Sequence, residues 1–387
     1  MKKGWEKKRL GEVCEIIMGQ SPDGESYNAT GIGVPLINGP VEFSEGPFGL
    51  TVKSKFTTQP TKFCKTGDLI LCVRGSTTGK MNIAGFDACV GRGVAAIRAK
   101  EYQSWINHFI SSKRDEIYAK GTGATFPNVS GVMLAELEIC MPPGIEQQRI
   151  VTILDEAFEG IATAKENAEA NLQNARAIFC CHHQSILTDK RWVTRQLGDL
   201  CTGVEYGSSS KSLKTGRLPV LRMGNIQNGR LDWNDLVYSD EELENQKYLL
   251  KHNDVLFNRT NSPELVGKSA IYKSEQPAMF AGYLIRINRI EMLLDGDYLC
   301  YFLNSQIAMD YGKTVVISSV NQANINGTKL KGYPIPAPPI TEQRRIVKEL
   351  DSLSEETERL ESIYQRKLTA LDDLKKSLLH QAFSGQL

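Results

Sequence analysis

A fourteen-residue stretch occurs twice in this chain, from Pro142 to Asp155 and from Pro338 to Asp351. The core Pro-Pro…Glu-Gln…Arg-Ile-Val…Leu-Asp is shared at nine of the fourteen positions, every pair separated by the same offset of 196. A chain that carries one long pattern twice is built as two copies of one half. It presents the same kind of surface twice and suits a target that is itself in two parts.

Proline is tolerated at a helix start and disfavours helix before it, so each Pro-Pro marks an entrance. The spacing predicts helices over Glu146 to about Leu187 and Glu342 to about Phe383, with Thr341 as an N-cap in the second copy. In the second helix Leu350, Thr357, Tyr364, Leu371 and Leu378 recur every seven residues, with Leu353, Leu360, Lys367, Leu374 and Gln381 as companions. Together they read as an imperfect coiled-coil seam. Subtracting the offset places Leu154, Ile161, Ala168 and Ala175, with Ala157, Ala164 and Ile178, on the first helix. Small residues facing large ones predict that the two helices pack on each other. Spacing alone permits either direction, and an antiparallel pair is the expectation.

The segments between the helices are also relatives. Trp5…Leu10-Gly11-Glu12-Val13-Cys14 answers Trp192…Leu197-Gly198-Asp199-Leu200-Cys201, and Gly67-Asp68-Leu69-Ile70-Leu71 answers Asn253-Asp254-Val255-Leu256-Phe257. Ala95-Ala96-Ile97-Arg98 answers Leu284-Ile285-Arg286 as a further strand, and Asn128…Gly131…Leu134 answers Asn324…Gly327…Leu330. The fold class expected is α/β (α+β): two similar mixed domains, 1–141 and 191–337, separated by two helical spacers, 142–190 and 338–387, with a pseudo-two-fold internal repeat.

At 387 residues the chain is long enough for two or three domains, and 41% hydrophobic with 24% charged residues is ordinary globular composition. No apolar run approaches the roughly 20 residues of a spanning helix, and the Lys-rich start is followed by no apolar segment of a signal peptide. Nine cysteines without a framework read as reduced thiols in a cytoplasm. A net charge of +1 decides nothing about nucleic acid.

Catalytic signatures fail on spacing. Gly75 to Gly79 leaves three residues where a P-loop needs four, Met81 stands where Ser or Thr should hold magnesium, and position 262, before Gly267-Lys268-Ser269, is Ser rather than Gly. In Cys180-Cys181-His182-His183, neighbours on a helix point about 100° apart and cannot enclose one tetrahedral metal. No metal site and no bound cofactor are expected, and no Asn-Pro-Pro-Tyr, Gly-x-Ser-x-Gly or His-Glu-x-x-His element is present. Recognition is the role that remains. Arg74, Ser76, Thr77 and Lys80 in the first segment, and Arg259, Asn261 and Lys268 in the second, combine phosphate-seeking cations with groups able to read base edges. They read equally as solvated turn residues; Arg92, Gln322 and Asn324 are weaker candidates.

Two variable α/β segments alternating with two long helices, each announced by Pro-Pro…Glu-Gln-x-Arg-Ile-Val…Leu-Asp, resemble the specificity subunit of type I restriction-modification systems over the entire chain. The resemblance implies a DNA-binding subunit without enzymatic activity, each target-recognition domain reading half of a split asymmetric sequence. The helices, through Leu154, Ile161, Ile178, Leu350, Leu353, Leu360, Leu371 and Leu374, would form an antiparallel coiled coil that sets the gap and docks partners. Two modification subunits would supply S-adenosylmethionine and methylate adenine, and two restriction subunits would use ATP and magnesium. A coiled-coil scaffold with protein-binding ends, and the equivalent subunit of a system with fused methyltransferase and nuclease, are the alternatives.

Overall fold

The computed structural model describes residues 2, 4–122, 127–319 and 322–387. The chain divides into two compact units, one of residues 1–169 and 366–387, the other of 170–365. No helix among the described residues is long and apolar enough to cross a membrane.

In the first unit, Glu6–Arg9 pairs antiparallel with Glu138–Met141, so the start and end of the α/β segment close on each other. A four-stranded antiparallel sheet follows in the order Cys14–Met18, Val94–Ala99, Leu69–Cys72, Met81–Ile83. The strand Leu-Ile-Leu-Cys at 69–72 is buried at every position, as expected of a strand covered on both faces. A second sheet is built on Val34–Ile37 running parallel to Ala88–Val90.

The second unit repeats this plan. Thr194–Gln196 pairs with Pro334–Pro336, and the four-stranded sheet runs Cys201–Tyr206, Leu284–Arg289, Val255–Asn258, Ser269–Ile271. Leu218–Leu221 lies parallel to Met279–Phe280, the counterpart of the parallel pair in the first unit. The turns before the central strands match as well, since Gly67 and Asn253 both take left-handed backbone, at φ 91° and 70°.

An arginine within each of the strands Val94–Ala99 and Leu284–Arg289 is a clamp. Arg98 donates to both oxygens of Asp68 at 2.9 and 2.7 Å and to Glu15 at 2.8 Å; Arg286 is held by Glu205 at 2.5 Å and Asp254 at 3.1 Å. Each ties the strand to the turn beside it.

Each unit also carries a pair of short helices, Gln103–Ser112 with Arg114–Lys120, and Gly296–Leu303 with Gln306–Val315. Trp105, Ile106 and Phe109, and in the other unit Tyr298, Leu299 and Phe302, are buried at helical spacing and form the face that meets the sheet.

The long helices span Gly144–Leu187 and Ile340–Ser384. Both begin two residues earlier than the motif suggests. The Pro143 carbonyl accepts from Glu146 and Gln147 backbone N–H, and Pro339 does the same for Glu342 and Gln343, so the second proline is the cap and Thr341 lies inside the first turn. The helices run antiparallel within each unit. In the first, Arg149 reaches the Leu387 carbonyl at 3.0 Å, Lys375 lies over the Phe158 ring, and Lys165 meets Asp372 at 2.6 Å. In the second, Arg176 meets Glu361 at 2.9 Å and His182 meets Glu349 at 2.7 Å.

The seam is narrower than expected. Leu154, Ile161, Ala168 and Ala175 are buried, as are Leu350 and Thr357, while Leu353, Leu360 and Leu371 are half-buried. Ile178 and Leu374 are exposed at 51% and 47%, which removes them from the seam. The buried alanines leave a single line of contact, and companion positions turned away from it reach solvent.

Candidate nucleic-acid interface

The repeated motif turns out to be a joint. Gln147 and Gln343 are buried, and each side chain turns back to donate to the carbonyl of the first proline, Pro142 at 2.8 Å and Pro338 at 2.9 Å. Gln343 also donates to Leu293 O at 2.9 Å and accepts from Asp295 N at 2.8 Å. Ile150, Val151 and Leu154 enter the core of the first unit, and Ile346, Val347 and Leu350 that of the second. The closing aspartate accepts from the short helix of its domain: Asp155 pairs with His108 Nε2 at 2.8 Å, and Asp351 accepts from Tyr301 Oη at 2.6 Å. Burial outweighs Asp155 at His108 and pushes its pKa below the ordinary imidazole value. Glu146–Arg149 and Glu342–Arg345 form matching surface pairs, and Arg149 with Lys2 holds the Glu146 carboxyl down at about 2.

The candidate recognition residues lie on the loops at the end of the central strand. In the first unit Gly79 N–H donates to Cys72 O and Cys72 N–H to Lys80 O; in the second Gly267 pairs with Asn258 and Asn258 with Lys268 in the same way. Gly79 and Gly267 both have left-handed φ, 85° and 95°, which a side chain would oppose. Lys80 and Lys268 therefore occupy one station in the two units.

The arginines do not. Val129 N–H donates to Val73 O, and Ile325 N–H donates to Arg259 O, so Arg259 corresponds to buried Val73, and Arg74 to Thr260. A slip of one residue along extended chain reverses the direction of the side chain. Arg74 and Ser76 are exposed and Thr77 is half-buried, in a loop closed by Thr78 on the Gly75 carbonyl. Arg92 is exposed on the adjoining turn, joined by a bond from Val73 N to Gly93 O. Arg259 is half-buried, its guanidinium 4.9 Å over the Tyr206 ring and donating to Gly282 O at 3.3 Å; its Nε is buried without a partner among the described residues.

Asn261 accepts from Ser262 N through its side chain, and Asn324 donates to Thr260 Oγ1 at 2.8 Å, so part of their capacity is used internally. Gln322 lies on the strand Gln322–Asn324, with its side chain outside the described residues.

Several residues that sequence reasoning missed complete these surfaces. In the first unit a cleft of ≈1320 Å³ is lined by Arg9, Lys80, Arg114 and Lys376 together with Lys7, Lys113 and Lys120. Its acids are partly neutralised, Glu138 by Lys7 at 2.6 Å and Glu116 by Lys113 and Lys120 at 2.7 Å each. Arg9, Lys80, Arg114 and Lys376 have no ion-pair partner among the described residues. Arg114 packs beside Gly79, a juxtaposition with no signal in the sequence because the helix break at Lys113 creates it. In the second unit Tyr206 and Tyr283 are 42% and 50% exposed around Arg259. In the Cys/His run, Cys180 and Cys181 are exposed, His182 bonds Glu349 and His183 is buried; no group of three potential metal ligands occurs among the described residues.

Two units of one topology, each carrying basic and polar loops on a rigid sheet and each welded to a long helix, define a duplicated recognition protein. The chain is similar in fold to a chain solved in a study of complex assembly and conformational transition of the type I R-M system. The TM-score is 0.80 at 18% identity, covering 100% of this chain and 99% of that one. The HsdS subunit from Thermoanaerobacter tengcongensis superposes at TM-score 0.65 and 18% identity, with 100% and 98% covered.

The type I restriction-modification DNA specificity domain matches at residues 2–173 and again at 189–368. The StySPI specificity subunit of Salmonella potsdam is 26% identical over 325 residues, 78% of this chain and 70% of the relative. The EcoKI specificity subunit of Escherichia coli K12 is 25% identical over 328 residues, with the same shares. The chain belongs to the type I restriction-modification DNA specificity family. It is a specificity subunit, contributing DNA sequence recognition rather than catalysis.

Proposed function

We propose that each unit reads one half of a split, asymmetric duplex target through the loops at 74–80 and 259–268. The repetition of sheet topology and joint in both units is the observation that carries this reading. Lys80, Arg114, Arg9 and Lys376 would hold phosphates, while Arg259, oriented by Tyr206, would approach base edges. Two modification subunits would dock on the long helices, where Ile178 and Leu374, repeat-equivalent and exposed, offer the same apolar foothold twice. S-adenosylmethionine would be bound by those subunits, and ATP and magnesium by two restriction subunits, in a complex acting in the cytoplasm.

Mapping methylated adenines in DNA exposed to the assembled complex tests the split target. Replacing Arg259 with Ala is expected to weaken recognition of one half-site by about 1–3 kcal/mol and leave the other half-site unchanged. Equal loss at both halves, or none, would refute the assignment. The double substitution Lys80→Gln, Arg114→Gln is expected to weaken binding to all duplexes alike. Each phosphate contact contributes about 0.9 to the slope of log affinity against log salt, so the slope should flatten by about 2. A slope that does not move would place the phosphates elsewhere.

A further inference from the structure

The second unit contains a cavity of ≈720 Å³ bounded by Phe179 and His183 of the first long helix, Tyr301, Trp233, and Asp351 and Ser354 of the second long helix. That volume suits a ligand of drug-like size. The Phe179, His183 and Tyr301 rings lie 5.6, 6.3 and 5.8 Å from one another, and Tyr301 donates to Asp351.

The first unit shows what this arrangement holds when its occupant is part of the chain. By the offset of 196, Asp351 corresponds to Asp155, Ser354 to Phe158 and Phe179 to Lys375, and Tyr301 takes the role of His108. There His108 bonds Asp155, the Phe158 ring lies 5.5 Å from His108, and the Lys375 ammonium sits 4.8 Å from the Phe158 centroid. An internal cation is thus held on an aromatic face that packs against the hydrogen-bonded His108. In the second unit two exchanges alter this. Serine in place of Phe158 leaves the volume of a ring, and phenylalanine in place of Lys375 supplies an aromatic face without an ammonium.

The charges of the wall agree. Arg230 is paired with Glu358 at 3.1 Å and Lys273 with Asp297 at 2.8 Å, while the described partner of Asp351 is the uncharged Tyr301 hydroxyl. His183 is only 7% exposed and its Nε2 has no partner among the described residues. Burial pushes its pKa down to about 4, so at neutral pH it adds no positive charge to the wall.

We propose that this cavity binds a small organic cation with an apolar body, its ammonium or guanidinium placed against Asp351 and the faces of Phe179 and Tyr301. Carboxylate and aromatic faces both favour such a group, the more so where water is partly excluded. The site is independent of DNA recognition and is tested without DNA.

The full chain is titrated calorimetrically with tryptamine and with its neutral isostere tryptophol. Tryptamine is expected to bind at least about tenfold more tightly, as a cation on an aromatic and acidic wall should. Ser354→Phe, which installs the residue of the first unit, should abolish binding of both, Ser354→Ala should preserve it, and Asp351→Asn should erase the preference for the cation. Equal affinity for the two probes, no heat with either at millimolar concentration, or unchanged binding in folded Ser354→Phe would overturn the proposal. If Ser354→Phe does not fold, Asp351→Asn decides alone, and a preserved preference overturns it.

Discussion

Replacing Arg286 with Met is expected to destabilise the second unit by about 3–5 kcal/mol, the usual range when one partner of a buried ion cluster is removed. The Arg286 side chain is 12% exposed and its partners Glu205 and Asp254 are 29% and 20% exposed, so the substitution leaves two carboxylates facing each other with little water. The guanidinium also lies 5.2 Å over the Phe280 ring and donates to Leu249 O, contacts that a thioether does not replace. Arg98→Met in the first unit should cost a similar amount, about 3 kcal/mol, because Glu15 is 59% exposed and can be hydrated but Asp68 is only 4% exposed and loses its cation. Hydrogen-exchange mass spectrometry in urea assigns each loss to its unit. A loss below about 1 kcal/mol for Arg286→Met would mean that the carboxylates relax into solvent.

The second large effect separates two glutamines at the same motif position. Gln343→Leu strands the Asp295 N–H and the Leu293 and Pro338 carbonyls, and should cost about 3 kcal/mol at about 1 kcal/mol or more for each buried group left unsatisfied. Gln147→Leu breaks one bond, to Pro142 O, and removes an Oε1 that has no partner among the described residues, so about 1 kcal/mol is expected. The difference arises in the domains. Asp295 caps the helix Gly296–Leu303 and presents its N–H to the glutamine, whereas the helix Gln103–Ser112 has Tyr102 at its cap and no side-chain cap bond. Equal losses for the two variants in a thermal melt would sink this account.

The duplication was legible because the motif residues are buried: Ile150, Val151 and Leu154 and their counterparts must fit a core, so their types and spacing repeat. The same packing made the matching strands and the pairing of the helices readable, while spacing left the direction of the pair open. The loops were readable only in part. Gly79-Lys80 and Gly267-Lys268 can be matched because the left-handed turn demands glycine, yet Arg74 and Arg259 stand one residue out of register, which the two loop sequences do not reveal. Heptad counting failed at Ile178 and Leu374 for the opposite reason. It assumes two buried positions per heptad, and helices approaching through alanine bury one line well and leave the companion outside.

The joint between helix and domain carries a consequence for how such a chain diversifies. What the motif asks of the α/β segment is small: room for three apolar side chains, one hydrogen-bond donor for the closing aspartate, met by an imidazole in one unit and a phenol in the other, and in the second unit the Asp295 N–H and Leu293 carbonyl that meet Gln343. A segment with different loops can be exchanged into either place if it keeps those few features, without any compensating change in the helix. The chain thus behaves as a socketed frame, in which a new specificity arises by replacing an insert while the helical frame stays as it was.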